Sequence, residues 1–341
     1  MIRVATAYAW TAAALLMFGW LSGIEDGPIA IVQMLSPHIA LATLLAIPIA
    51  LVAHSRSLAL PIVATMFLFV LRFGGEWTSP VAVATPEAGA VPSELAVATW
   101  NIQAGSGAGD LAVEMLRATP VDIVALQELT PDVAAAIETD AALAARYRYQ
   151  VLEGREGVSG AGILSRFPIE SAEYAGEPVR IEARLRLPEG ELVVLNAHPF
   201  PARMALLGGI PVGIDTASRN EETERLRARV AELEAAGFDV LLIGDFNTAP
   251  TELAFGRLTG GLHDAHAEVG LGPGWTWRPA RFAPLGIGLL RIDLVLSTAD
   301  LVPVETSIAC PPAGDHCLLE ATLAREGVAQ NGGERSLLMA R

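Results

Sequence analysis

The first 73 residues constrain the chain most, because they hold three apolar stretches in close succession. These run from Val4 to Ile24, from a start between Ile29 and Ile39 to Ala53, and from Leu58 to Phe73. A hydrocarbon core about 30 Å thick takes roughly 20 apolar residues to cross, so the first two fit, and the third fits once Ser57 and Gly74 are counted. Pro37, Pro48 and Pro61 would break soluble helices but are tolerated in spanning ones, where neighbours satisfy the freed carbonyls. A cleaved signal peptide accounts for Arg3 and the first stretch but leaves the other two unexplained. Residues 1–74 are therefore read as a transmembrane anchor of three helices.

That anchor explains a composition that is otherwise too apolar for a soluble enzyme, with 52% hydrophobic residues. Residues 75–93 are rich in Pro, Ala and Gly without periodicity and read as a linker. Residues 94–326 alternate charged and short apolar runs, enough for one large α/β domain, and 327–341 read as a disordered tail. The domain and tail carry 20 arginines against 34 acidic residues out of a chain total of −15. Such a field repels polyanions at long range, which weakens the case for duplex nucleic acid without excluding it.

Orientation rests on Arg3, His54 and Arg56 placed inside and Glu25 and Asp26 outside, with Arg72 opposing. This puts everything after Gly74 on the outer face. Cys310 and Cys317, the only cysteines, suit a disulfide in an oxidising compartment; two reduced, unrelated cysteines are the other reading.

Apolar spacing predicts strands at Leu95 to Ile102, Ile123 to Gln127, Tyr149 to Leu152, Ala161 to Ser165, Val179 to Leu187 and Leu192 to Ala197. Four more follow at Val240 to Ile243, Ile292 to Ser297, Val302 to Ala309 and Cys317 to Leu323. Helices are predicted at Asp110 to Ala118, Pro131 to Arg146 and Ser218 to Ala236. Strands that follow strands directly point to mixed sheets. Polar groups recur at the C-terminal ends of the predicted strands: Asn101, Gln127–Glu128, Asn196 with His198, Asp245 with Asn247, Arg291 with Asp293, and Asp315–His316. Packing does not explain six such ends.

From Leu95 to Leu323 this ordered set resembles the endonuclease/exonuclease/phosphatase superfamily: an early Asn-Ile, then Gln-Glu, Gly-Asp-Phe-Asn after an apolar strand, and a late Asp-His. The resemblance implies an α/β sandwich of two mixed β-sheets with flanking helices and a hard divalent cation, Mg²⁺ or Mn²⁺. Glu128 would be its main ligand, with Asn101 and Asp315 close by. Asp245 would deprotonate the attacking water, and Asn247 would hold Asp245 or the phosphate. His316, oriented by Asp293, would donate to the phosphate, and His198 would bond another phosphate oxygen. Ser165 and Arg166 match a supporting family pattern. His263, Asp264 and His266 read as a surface connection.

Two segments beside this set are unusually apolar for loops, Met204 to Ile214 and Phe282 to Leu290, and neither alternates like a strand. They are read either as buried loops completing the core or as an apolar rim admitting a lipid tail. With the anchor and the acidity, the rim favours a phosphorylated lipid as substrate, cleaved at the outer face of a bacterial cell membrane by a multi-pass protein. The membrane-anchored branch that the chain resembles includes proteins associated with glycopeptide-antibiotic resistance. One alternative is an extracytoplasmic nuclease using Trp275, Trp277, Arg278 and Arg281 as a stacking groove. Another is a non-catalytic membrane scaffold. Oligomeric state is not legible.

Overall fold

The computed structural model describes residues 1–78, 94–103, 109–286 and 288–325. The expected linker beyond Thr78 and the expected tail lie outside the described residues.

Helices α1 (Ile2–Ser22) and α5 (Arg56–Thr78) are each long and apolar enough to cross a membrane. Residues 75–78, expected to open the linker, continue α5. The second apolar stretch is not one helix. It breaks into α2 (Gly27–Met34), α3 (Ser36–Ala42), a 3-10 turn and α4 (Ile47–Val52), with α2 bent 62° from the rest. Pro37 and Pro48 fall in the first turns of α3 and α4, where a missing N–H is harmless, so each proline starts a new piece. Gln33 Nε2 donates to Gly19 O at 2.5 Å, which holds α2 beside the last turn of α1.

Small residues let these helices approach closely. Ala9 and Ala46 meet Leu58 and Ile62 in one layer, and Leu16 and Ala40 meet Phe69 and Phe73 in the next. The order of the layers makes the three segments run up, down and up. Trp10, Phe18, Leu45, Leu51 and Phe67 face outward.

The remainder is a sandwich of two six-stranded mixed sheets. The first contains β1 (Glu94–Asn101), β2 (Ile123–Gln127), β3 (Tyr149–Glu153), β4 (Ala161–Ser165), β13 (Leu301–Ala309) and β14 (Leu318–Arg325), in the order β13-β14-β1-β2-β4-β3. The second contains β5 (Ile169–Gly176), β6 (Val179–Leu187), β7 (Gly190–His198), β10 (Asp239–Asp245), β11 (His263–Asp264) and β12 (Asp293–Ser297), in the order β11-β12-β10-β7-β6-β5. Between the two sheet partners of the second layer runs an excursion, the hairpin β8 (Arg203–Leu207) and β9 (Ile210–Asp215). Within the sheets β1 pairs parallel with β2, and β7 with β10; the remaining strand pairs are antiparallel.

Alternation along the strands fills three layers at once. Ile123 and Ala125 of β2 meet Val194, Leu241 and Val295 between the sheets. Val124 and Leu126 face outward against α6 (Gly109–Ala118), α7 (Pro131–Thr139) and α8 (Ala141–Arg146). On the other side, Val193, Leu195 and Leu242 pack on α9 (Ala217–Ala235) and α10 (Leu253–Thr259). A short α11 (Ala265–Val269) follows β11. The two sheets are also stitched by polar bonds: Gln127 Nε2 donates to Asn196 Oδ1 at 2.7 Å, and Asn196 Nδ2 to Leu126 O and Gly162 O at 2.9 Å each.

Candidate active site

All eight expected site residues gather at one end of the sandwich, on strands that reach it from different directions. Asn101, His198 and Asp245 end β1, β7 and β10, and Glu128 follows β2. Asp293 and His316 come differently. Asp293 starts β12 and His316 lies two residues before β14, both antiparallel strands, so the expectation that they follow the C-terminal ends of their strands is corrected. Asp293 is the cross-strand partner of Asp245.

Asn101 links the two carboxylates at the centre. Its Nδ2 donates to Glu128 Oε1 at 3.0 Å and to Asp245 Oδ2 at 2.9 Å, while its Oδ1 accepts from Gln103 N at 2.9 Å. In this orientation Asn101 steers the carboxylates, and its oxygen, which accepts one bond from Gln103, keeps a second lone pair for a cation. His198 Nε2 lies 3.8 Å from Glu128 Oε1 and 3.6 Å from Asp245 Oδ2. His316 Nε2 is 3.5 Å from Asp245 Oδ2, and its Nδ1 is 2.9 Å from Asp293 Oδ2. Asp293 is completely buried and Asp245 nearly so.

Asn247 holds Asp245 through its backbone N–H, which donates to Asp245 Oδ1 at 2.9 Å; its side chain donates instead to Pro199 O at 3.0 Å. Asn247 (φ 50°) and Glu128 (φ 54°) both have left-handed backbones, a conformation that bulky residues keep only where surroundings enforce it. Gly244 lets β10 come close to β7: a Cβ there would stand 2.0 Å from Ala197 O.

The sequence profile of the "Endonuclease/Exonuclease/phosphatase family" matches residues 98–316. The chain belongs to this family. It is thus a hydrolase of phosphoesters. No curated protein matches the chain significantly by sequence. Among solved structures the family fold recurs in a truncated TDP2 of Caenorhabditis elegans, at 19% identity and TM-score 0.54, covering 68% of this chain and 98% of that one. It recurs in an AP endonuclease from Archaeoglobus fulgidus, at 18% identity and TM-score 0.51, covering 67% and 98%. A D. rerio TDP2 complexed with a single-strand DNA product matches at 18% identity and TM-score 0.52, covering 68% and 99%.

Electrostatics in this family member divide by burial. Burial opposes a charge on His316, but Asp293 and Asp245 outweigh it and push His316 up to about 10. Burial raises Asp293, against the pull of the His316 charge. Asp315 is also raised, first by burial, with His316 opposing and Glu128 adding like-charge repulsion. Its Oδ1 is buried without a hydrogen-bond partner in the protein. An orphaned carboxylate oxygen beside a second carboxylate fits a hard divalent cation. Asp245, Asp293 and His316 also bring ligand atoms within 4.8 Å of one another, but His316 Nδ1 is already committed to Asp293.

The Asp315–His316 loop is pinned from three sides. Cys310 and Cys317 are bridged, Arg278 N donates to Asp315 O at 2.8 Å, and Cys317 N donates to Thr276 O at 2.7 Å. The buried Arg278 guanidinium holds Pro311 O, and Trp275 packs in a tilted contact on His38 of α3 with ring centroids 4.5 Å apart. Two members of the expected stacking groove are therefore engaged elsewhere.

Ser165 and Arg166 lie at the opposite end of the sheet, since Ser165 pairs with Ile123 at the start of β2; they do not support the site. The His263–His266 segment takes no part in the site, but the expectation of a surface connection is corrected: Asp264 and His266 are buried, Asp264 ion-pairs with Arg291 at 2.8 Å, and His263 Nδ1 lies 2.9 Å from Glu268 Oε1. Sequence reasoning missed Gln103, Thr276 and Arg219. Arg219 donates to Asn247 O at 2.6 Å from full burial, yet in sequence it is one of several arginines on a charged helix.

Proposed function

We propose that this protein is a multi-pass membrane enzyme that hydrolyses a phosphoester or pyrophosphate bond of a phosphorylated lipid at the outer membrane face. The observation that carries the reading is the β8–β9 hairpin. It leaves the site directly after His198 and turns at Gly208–Gly209. It exposes Met204, Leu206, Leu207 and Ile210 to between 59% and 72%. An alternative reading of this segment as a buried loop is excluded by that exposure. Immersing such a side chain in an apolar phase contributes about 1.5–3 kcal/mol each, so a water-facing hairpin of this kind is otherwise unfavourable. Its second strand bridges to α2, Ile214 to Gly27, and α2 lies beside the end of α1. The apolar hairpin is thus continuous with the helices that would sit in the bilayer.

Asp245, held by Asn101 and the Asn247 N–H, accepts a proton from the attacking water. The new oxygen–phosphorus bond forms as the bond to the leaving oxygen breaks. His316, kept protonated by Asp293, donates a hydrogen bond to the phosphoryl oxygens, and His198 donates to another. A divalent cation, Mg²⁺ or Mn²⁺, held by Glu128 and Asp315 with Asn101 steering Glu128, would supply positive charge to the phosphate and the leaving oxygen.

The test is product release by detergent-purified protein with Mg²⁺, offered a polyprenyl pyrophosphate, a phospholipid panel and single-strand DNA, with Asp245→Ala as blank. Lipid turnover is expected, and replacing Leu206, Leu207 and Ile210 by Ser should slow long-chain substrates more than short ones. Cleavage of DNA alone would move the function to an extracytoplasmic nuclease, the activity to which the DNA-bound D. rerio neighbour points.

A further inference from the structure

We infer that the acidic loop between α1 and α2, Glu25–Asp26, is a positioning element of the active site. It acts on Asn247 and through it on Asp245. The inference rests on the assignment of Asp245 as the base.

An unbroken hydrogen-bond chain joins the two places. Asp26 Oδ1 accepts from Thr216 N at 2.7 Å and from Thr216 Oγ1 at 3.0 Å, and Glu25 O accepts from the same hydroxyl at 3.1 Å. The hydroxyl in turn accepts from Asn220 Nδ2 at 3.0 Å, and Glu25 Oε1 lies 3.5 Å from that nitrogen. With its nitrogen so held, Asn220 must offer Oδ1 to Arg219, which donates to it from Nε at 3.3 Å and NH2 at 3.1 Å. Arg219 NH1 donates to Asn247 O at 2.6 Å, and Asn247 N to Asp245 Oδ1 at 2.9 Å.

Asp26 is exposed, but Thr216 and Arg219 are 1% exposed and Asn220 8%, so water does not substitute freely beyond Thr216, and a half-satisfied buried network is worse than a complete one. The switch point is Asn220. Without the carboxylate of Asp26, the Thr216 N–H loses its acceptor and the hydroxyl keeps only Glu25 O at 3.1 Å, so Asn220, which donates to that hydroxyl, is held less firmly in the orientation that offers Oδ1 to a guanidinium that has only donors. Arg219, still paired with Glu252 at 2.5 Å, would shift about that anchor and loosen its hold on the carbonyl of a residue held at φ 50°. A contact that only moored the helices to the sandwich would not converge on this carbonyl.

The experiment uses the full-length protein in detergent with Mg²⁺ and bis(4-nitrophenyl) phosphate, a short substrate that does not need the hairpin. Asp26→Ala should lower kcat about tenfold with KM little changed, less than the roughly 10²-fold that a full 1 Å misplacement can cost. Asp26→Asn keeps an oxygen that accepts both Thr216 bonds and should restore kcat. Thr216→Val, which removes the hydroxyl by a different route, should reproduce the Ala loss. Unchanged kcat in Asp26→Ala and Thr216→Val, with or without a lower Tm, would overturn the inference, as would an Asn variant no better than Ala. A wild-type rate equal to that of Asp245→Ala on this and the lipid substrates would instead overturn the reading of the site.

Discussion

The wall of the cleft built by Asp293 and His316 and the wall built by Glu128 and Asp315 hold similar groups, yet they are completed differently. On the first wall each charge has its partner: Asp293 takes the imidazole and also keeps its backbone N–H on Thr276 Oγ1 at 3.2 Å. On the second, Asp315 Oδ1 is orphaned and two carboxylates repel each other. The first wall stores a proton in a fixed place, whereas the orphaned Asp315 oxygen beside the Glu128 carboxylate suits a cation. Asp245 faces both.

Removing that shared member should therefore have the largest effect. Asp245→Ala is expected to lower kcat by about 10³-fold or more in steady-state assays, the upper part of the range for a general base. The next effect separates the walls. Glu128→Ala should abolish the rise in Tm produced by Mg²⁺, while His316→Ala should keep it; the opposite pattern would seat the cation among Asp245, Asp293 and His316 and reverse the comparison.

A pH series sharpens it further. The folded pKa of His316, about 10, lies above its unfolded value of about 6.5. Its pairing thus stabilises the fold fully below about pH 6.5 and loses that contribution as pH rises through about 10. Turnover should hold through neutral pH and fall on the alkaline side, and Asp293→Asn should bring that fall toward neutrality. An alkaline limb unmoved by this change would remove His316 from the chemistry. The smallest effect concerns the loop beneath both walls: Cys310→Ser with Cys317→Ser should cost about 2 kcal/mol of stability in denaturant titrations, with kcat falling in parallel with the loosened Asp315–His316 loop.

Much of this was legible in the sequence because the central strands are buried on both faces and read as continuous apolar runs, while β6 is buried on one face and alternates. Ile123–Gln127, Ala161–Ser165 and Val179–Leu187 have the expected bounds. Other elements were masked by local chemistry. The expected helix from Pro131 to Arg146 divides at Asp140, whose carboxylate caps α8 by accepting from Ala142 N and Leu143 N; an Asp before a run of Ala is the signal that was available. The Met204 to Ile214 segment lacks alternation because it has no dry face and wet face, and its turn was announced only by Gly208–Gly209, both with positive φ. In the site, residue types were readable and supporting partners were not. Arg219 and Thr276 gain their roles from distant strands and helices, which no local pattern encodes.

The ends of α1 and α5 meet the sandwich on the same side. Glu25 pairs with Arg257 at 2.8 Å, and Trp77 meets Trp275 edge-on at 5.8 Å. Under the proposed multi-pass reading, with the bent α2–α4 segment as the third pass, the parity is odd, and Met1 and the sandwich would belong to different compartments. A reporter fused before Met1 and the redox state of Cys310–Cys317 would then sample opposite sides of one membrane in a single molecule.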